Sequence, residues 1–310
     1  MSTQSNAVNE LPMAGRATTQ ASISAGRLLY WSVRREIWEN RSIYIAPAAV
    51  AAFLIVGLLI AVARGALRAS YEVVTNGSEH HGSVIAAYDV ASAAIMGVAL
   101  IVSGFYCLST LQGERRDRSI LFWKSLPVSD TTTVLAKAAI PFVVIPGVMM
   151  ALVIATHLMI LMILSIGFAG AGQSAAMAWP QPGLPQVWVM TAYHLVTVHV
   201  LWYAPLFGYM LMVSAWSKRA PFLWAVVPPV LAGVVEKIAF NTMYVFSMLR
   251  DRLTGESSGA VGPGGGMKLE SMQMIEPLRF LASPGLWIGL AFAAAFLVAT
   301  VRLRRSGSAL

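Results

Sequence analysis

Cysteine is nearly missing from this chain. Its 310 residues hold one, Cys107, inside an apolar stretch, which excludes an intrachain disulfide framework and any CxxC metal or redox centre. Its expected role is that of a small buried hydrophobe. Charge is scarce too: Asp, Glu, Lys and Arg make up 12% of the residues against 57% hydrophobic ones, and the mean hydropathy is +0.67. Soluble domains carry about 25% charged residues, so lipid is the expected solvent for most of the chain. Acidic residues number 14 against 22 basic, a net charge of +8. Lys and Arg sit beside apolar runs instead of forming a basic domain, so they read as topology signals and nucleic acid is not an expected partner.

Other absences narrow the function. The first 40 residues are polar and lack the layout of a cleaved signal peptide, so the N-terminus is expected to be kept and the first span to act as an uncleaved signal. No Walker A sequence is present: the nearest approach, Gly262 to Lys268, has Met267 where the loop needs glycine. The chain is therefore not expected to be an enzyme or to hold a cofactor by itself. GxSxG and HExxH are missing as well, and no internal repeat points to an inverted-repeat transporter.

What is present is a series of long apolar runs. A helix needs about 20 mostly apolar residues to cross a bilayer. Six segments qualify, roughly Ile43 to Ala63, Val90 to Leu111, Ala138 to Phe168, Val187 to Ser214, Pro221 to Val235 and Leu286 to Val301. The expected fold is an all-α integral membrane protein of about six transmembrane helices over 42–303, after a polar segment 1–25 and before a short tail 304–310. Pro141 and Pro146 should bend the third span. At Glu236 and Lys237 the fifth either runs on with a buried ion pair or breaks into a re-entrant or interfacial helix, the break being favoured because charge at the bilayer centre is costly. A loop over 247–285 contains the glycine-rich stretch Gly255 to Gly266.

Placing the N-terminus inside puts fifteen of the 22 basic residues on that side, including Arg35, Arg115, Lys137 and Arg304. An inner membrane location with both termini cytoplasmic is the resulting expectation. Before the first span, 26–41 reads as an amphipathic interfacial helix with Leu28, Trp31, Arg35 and Trp38 near one stripe. Membrane lipid is its expected neighbour. A plain anchor and a transporter's elbow helix call for the same residues.

The segment 112–134 between the second and third spans reads GERRDRSILFWKSLPVSD from Gly113. Ile120 to Trp123 and Leu126 form an apolar, aromatic helix too short to span, stopped by Pro127, with Ser129 or Asp130 able to cap the next helix. Such a knob suits a soluble partner, although a solvated turn is the plain alternative. With Lys137 downstream, this stretch resembles the coupling segment of ABC-2 type transporter permeases, in which an acidic-basic pair leads into a leucine-rich helix and a Leu-Pro-Val-Ser turn. Arg118-Ser119 departs from the Gly-Thr of many relatives. The resemblance implies that Glu114, Arg115, Phe122, Trp123 and Lys124 lie near a cytosolic ATPase. It also implies two copies of that ATPase, carrying ATP and Mg, and a second permease copy forming a homodimer or related heterodimer.

Polar residues inside apolar runs are the remaining candidates: His157, His194, His199 and Glu236. They could serve an intramembrane enzyme or metal-handling protein, or each could be a satisfied packing residue. His194 and His199 are five apart, which does not place them on one α-helical face as a metal pair would prefer. The runs Met149-Met150 and Met159 to Met162 should fill gaps between helices.

Overall fold

A computed structural model describes residues 24–65, 79–117, 128–180, 183–254 and 277–306. Every regular element among them is a helix. Helix α1 is Ala25–Glu39. Asn40 leaves the helical region, and α2 begins two residues later as Ser42–Ala63. Helix α3 is Glu79–Arg116, starting eleven residues before the span expected from Val90.

Helix α4 runs over Asp130–Gly170. Ser129 caps it, its Oγ accepting the Thr132 N–H at 3.0 Å. That leaves Asp130 free for another task. Instead of breaking the helix, Pro141 and Pro146 fall in and just after a π-helical turn, Ile140–Val144, which absorbs backbone that the missing donors would leave unpaired.

Helix α5 is Leu184–Trp202, π-helical from Leu195, and it meets α6, Ala204–Trp216, at a bend of 46°. Of the two courses open to the fifth span at Glu236, helix α7, Pro221–Phe240, takes the first in that it runs on for four residues before it breaks. The break comes at Asn241, whose φ of 53° is left-handed, a conformation asparagine tolerates better than most residues. Helix α8, Tyr244–Thr254, comes next, so the start of the expected 247–285 loop is helical. Helix α9 is Pro277–Ala282 and α10 is Pro284–Ser306, which takes in Arg304 and shortens the expected tail.

Helices α2, α3, α4, α7 and α10 are long and apolar enough to cross a bilayer, and the bent pair of α5 and α6 makes a sixth. The chain is a multi-pass membrane protein. Its main core joins α3, α4, α5, α6 and α10 through Ile95, Tyr106, Met149, Val153, Phe207 and Leu286. Cys107 is buried there, as expected. A second core joins α3 to the later half of α4 through Val84, Tyr88, Ile160 and Phe168. Helices α6 and α10 touch closely at Gly208, where an added Cβ would lie 3.2 Å from the Ala293 carbonyl oxygen.

Met149 fills the core, but Met159 and Met162 turn outward, against expectation, and lie exposed on the surface of the chain. Helix α7 shows apolar side chains on nearly every side, with Ile238 80% exposed. All-round apolarity is what a helix surrounded by acyl chains requires.

Candidate functional site

Charged residues that are far apart in sequence meet at one end of the bundle. Glu36 of α1, Glu114 at the end of α3, Asp130 and Lys137 in the first turns of α4, and Arg304 of α10 form one chain of ion pairs. Lys137 is its centre: Nζ lies 2.8 Å from Glu36 Oε1 and 3.0 Å from Glu114 Oε1, and it donates to Thr110 Oγ1 at 2.8 Å. Arg304 extends the chain, with Nη1 2.7 Å from Glu114 Oε2 and Nε 3.0 Å from Asp130 Oδ1. Arg35 Nη2 lies 2.9 Å from Glu36 Oε1 and 3.7 Å from Glu114 Oε1. Among the described residues, three carboxylates thus face three cations, and Glu39 joins at the exposed edge, 3.4 Å from Arg35.

Burial makes these contacts consequential. The side chains of Lys137 and Glu36 are each 2% exposed and that of Arg304 is 4%. A charge taken this far from water is tolerable only when paired and hydrogen-bonded. Glu36 satisfies that condition on both oxygens, since Oε2 accepts from the Tyr106 hydroxyl at 2.8 Å and from Thr110 Oγ1 at 3.3 Å. Burial by itself would raise the Glu36 pKa. The Lys137 charge and the hydrogen bonds from Lys137, Tyr106 and Arg35 outweigh it and hold the carboxyl below its ordinary value.

No family model, curated protein or solved structure matches the chain. The site therefore has to be read from its own geometry. Helix α1 turns its Glu36 face inward with Val33 and Ile37 packed on the main core, while Tyr30, Trp31, Arg34 and Trp38 point away from the protein. This corrects the expected stripe. Trp31 and Trp38 do share a face, but Arg34 stands between them, its Cζ 5.2 Å from each ring, and Arg35 turns toward the ion cluster.

Of the residues expected to touch a partner, Glu114 is buried in the cluster, and Arg115, next to it, is half-buried. Phe122, Trp123 and Lys124 lie outside the described residues. Glu36 and Arg304 are the residues that the sequence left unassigned. An acid on the inner face of α1 beside Val33 and Ile37, and a lysine set in Val134-Leu-Ala-Lys-Ala-Ala-Ile140, are signals that Glu36 and Lys137 were meant for burial.

The intramembrane candidates do not converge. His157 Nε2 lies 2.9 Å from Ser92 Oγ and 3.2 Å from the Tyr88 carbonyl oxygen, with its ring edge-on to Tyr88. His199 packs among Tyr203 and Phe207. Its π-helical setting changes the spacing argument, because a π turn closes i to i+5 and brings His194 and His199 nearer one face than an α-helix would. Among the described residues, no group of three or more His, Cys, Asp or Glu is disposed to hold a metal.

Glu236 has a structural task. Its carboxylate accepts from Thr242 Oγ1 at 2.5 Å and from the Tyr244 and Val245 backbone N–H groups at 2.7 and 2.8 Å, so it caps α8 across the turn. The far end of α8 is held by Arg252. Its guanidinium lies 4.0 Å over the Trp202 ring and donates to the carbonyls of Trp202 and Gly285. Arg252 thereby pins α8 at the bend between α5 and α6, against the first turn of α10.

Proposed function

We propose that the chain is the transmembrane subunit of an ABC-2 type exporter, working with a separate cytosolic ATPase, in two copies, to move a hydrophobic or amphipathic compound such as a lipid, peptide or antibiotic. In this reading the basic end of the bundle is cytoplasmic, α1 is an elbow helix, and 112–134 is the coupling segment. Two permease copies form the transport unit in an inner membrane.

The observation that supports it is a clamp on described residues near the two ends of the 112–134 segment. Glu114, near its start, and Asp130, near its end, are gripped by the same guanidinium, that of Arg304. A force on this segment reaches the last span through Arg304 and α1 through Lys137 and Glu36. An ATP-driven switch needs contacts that differ between two states, and a joint of this kind carries such differences into the bundle.

Affinity purification of the tagged protein in mild detergent, with an ATPase assay on the eluate, tests the proposal. A stoichiometric ATP-binding subunit with vanadate-sensitive turnover is expected, and Phe122→Ala with Trp123→Ala should reduce its association while leaving membrane insertion intact. An ATPase-free protein that also fails to crosslink through Glu114 to Lys124 would overturn it.

A further inference from the structure

We infer that the outward face of α1 is a binding site for anionic phospholipid, with Arg34 as the phosphate ligand. The face is narrow. At 100° per residue, Arg27, Tyr30, Trp31, Arg34 and Trp38 fall within an arc of about 100°, opposite Glu36. All five are exposed, Trp31 by 51% and Trp38 by 67%.

Charge and position together select the occupant. Arg27 and Arg34 enter no ion pair among the described residues. The two carboxylates of α1 are engaged elsewhere: Glu36 in the buried cluster, and Glu39 with Arg35 at 3.4 Å. The face is therefore cationic with no internal counter-ion. Only Asn40 and Arg41 separate α1 from the apolar span α2, so α1 is tethered at the boundary of the hydrocarbon. Tryptophan rings favour that depth, with their bodies toward the acyl chains and their N–H groups toward water.

Arg34 is suited to phosphate. Trp31 and Trp38, seven residues apart, stand on either side of it, and the cation–π contacts hold its planar fork facing outward. A guanidinium can meet a phosphate with two parallel hydrogen bonds. Zwitterionic lipid also carries a phosphate, but its choline cation offsets the attraction, so discrimination comes from net headgroup charge. The inference concerns α1 and lipid alone and stands whether or not an ATPase partner exists.

The experiment is a lipid titration of the full-length protein in detergent micelles. Phosphatidylglycerol and phosphatidylcholine of identical acyl chains are compared, and retained lipids are counted by native mass spectrometry. Wild type is expected to prefer phosphatidylglycerol. Arg34→Gln should weaken that lipid about fivefold, and Arg27→Gln with Arg34→Gln about 25-fold, with phosphatidylcholine unchanged. Arg34→Lys, which keeps the charge but loses the fork, should fall between wild type and Arg34→Gln. Arg302→Gln, at an exposed arginine of α10, should have no effect. Each variant is checked for an unchanged thermal transition, expected because both side chains are exposed. The inference is overturned if wild type binds the two lipids equally, if the double variant keeps the preference, or if Arg302→Gln matches Arg34→Gln. Displacement of the lipid by millimolar glycerol phosphate would overturn it too, since that would make the site one for soluble anions.

Discussion

Replacing Lys137 by methionine removes the most deeply buried cation of the ion cluster. The ammonium lies 2.8 and 3.0 Å from two buried carboxylates, and at an effective dielectric near 20 each such pair has a gross attraction of about 5–6 kcal/mol. Most of that is offset by the desolvation of three ions, so the intact cluster contributes little net stability. Removal of one partner is different, because the carboxylates stay buried. Glu114 keeps Arg304, whereas Glu36 keeps the Tyr106 and Thr110 hydroxyls and Arg35, whose side chain is 26% exposed. The loss should therefore lie at the lower end of the range for a broken buried pair, about 3 kcal/mol. Adding Glu36→Gln removes the uncompensated charge, and the double variant should recover about 1–3 kcal/mol relative to the sum of the two single losses. Reversible unfolding by SDS titration from mixed micelles measures all four corners of this cycle. A Lys137→Met loss under about 1 kcal/mol, or strict additivity in the double variant, would refute the reasoning.

The Glu36 carboxyl lies below its ordinary value in the folded protein, so its stabilisation is fully present above about pH 4.5 and is lost as pH falls through the lowered value. The stability gap between wild type and Glu36→Gln should accordingly be flat from pH 7 to about 5 and shrink only below that; a gap that closes near neutrality would contradict it. Gly289→Ala places a methyl group against the Arg252 guanidinium, so hydrogen exchange across Tyr244 to Thr254 should accelerate, and unchanged exchange there would count against α8 being pinned by Arg252. Glu236→Ala removes the acceptor for two backbone N–H groups and should speed exchange at Tyr244 and Val245 while leaving α7 protected; a slower rate at those amides would exclude the cap.

The spans are legible because lipid imposes one demand, about 20 apolar residues in a row, which can be counted in a sequence. What a span faces is not legible in the same way. In the later part of α4 nearly every position is apolar, so Met149 in the core and Met162 on the outer surface look alike when water is no longer the contrasting solvent. Polar residues mislead for a related reason. Glu36 reads as a solvent-facing acid because its partners, Tyr106 and Lys137, are 70 and 101 residues away. No local periodicity reports such a pairing. Charge alone makes Glu236 look like the end of α7, whereas its hydrogen bonds reach forward to Tyr244 and Val245 and leave Asn241 as the turn.

The ion cluster also imposes an order on biogenesis. Glu36, Glu114 and Asp130 leave the ribosome before Arg304, so the nascent chain carries Glu114 and Asp130 without that guanidinium until α10 has been made. A polypeptide halted before that point leaves Asp130 without the cation that pairs it and Glu114 with Lys137 and Arg35 alone. Such a chain differs chemically from the finished one in the charge it leaves unpaired.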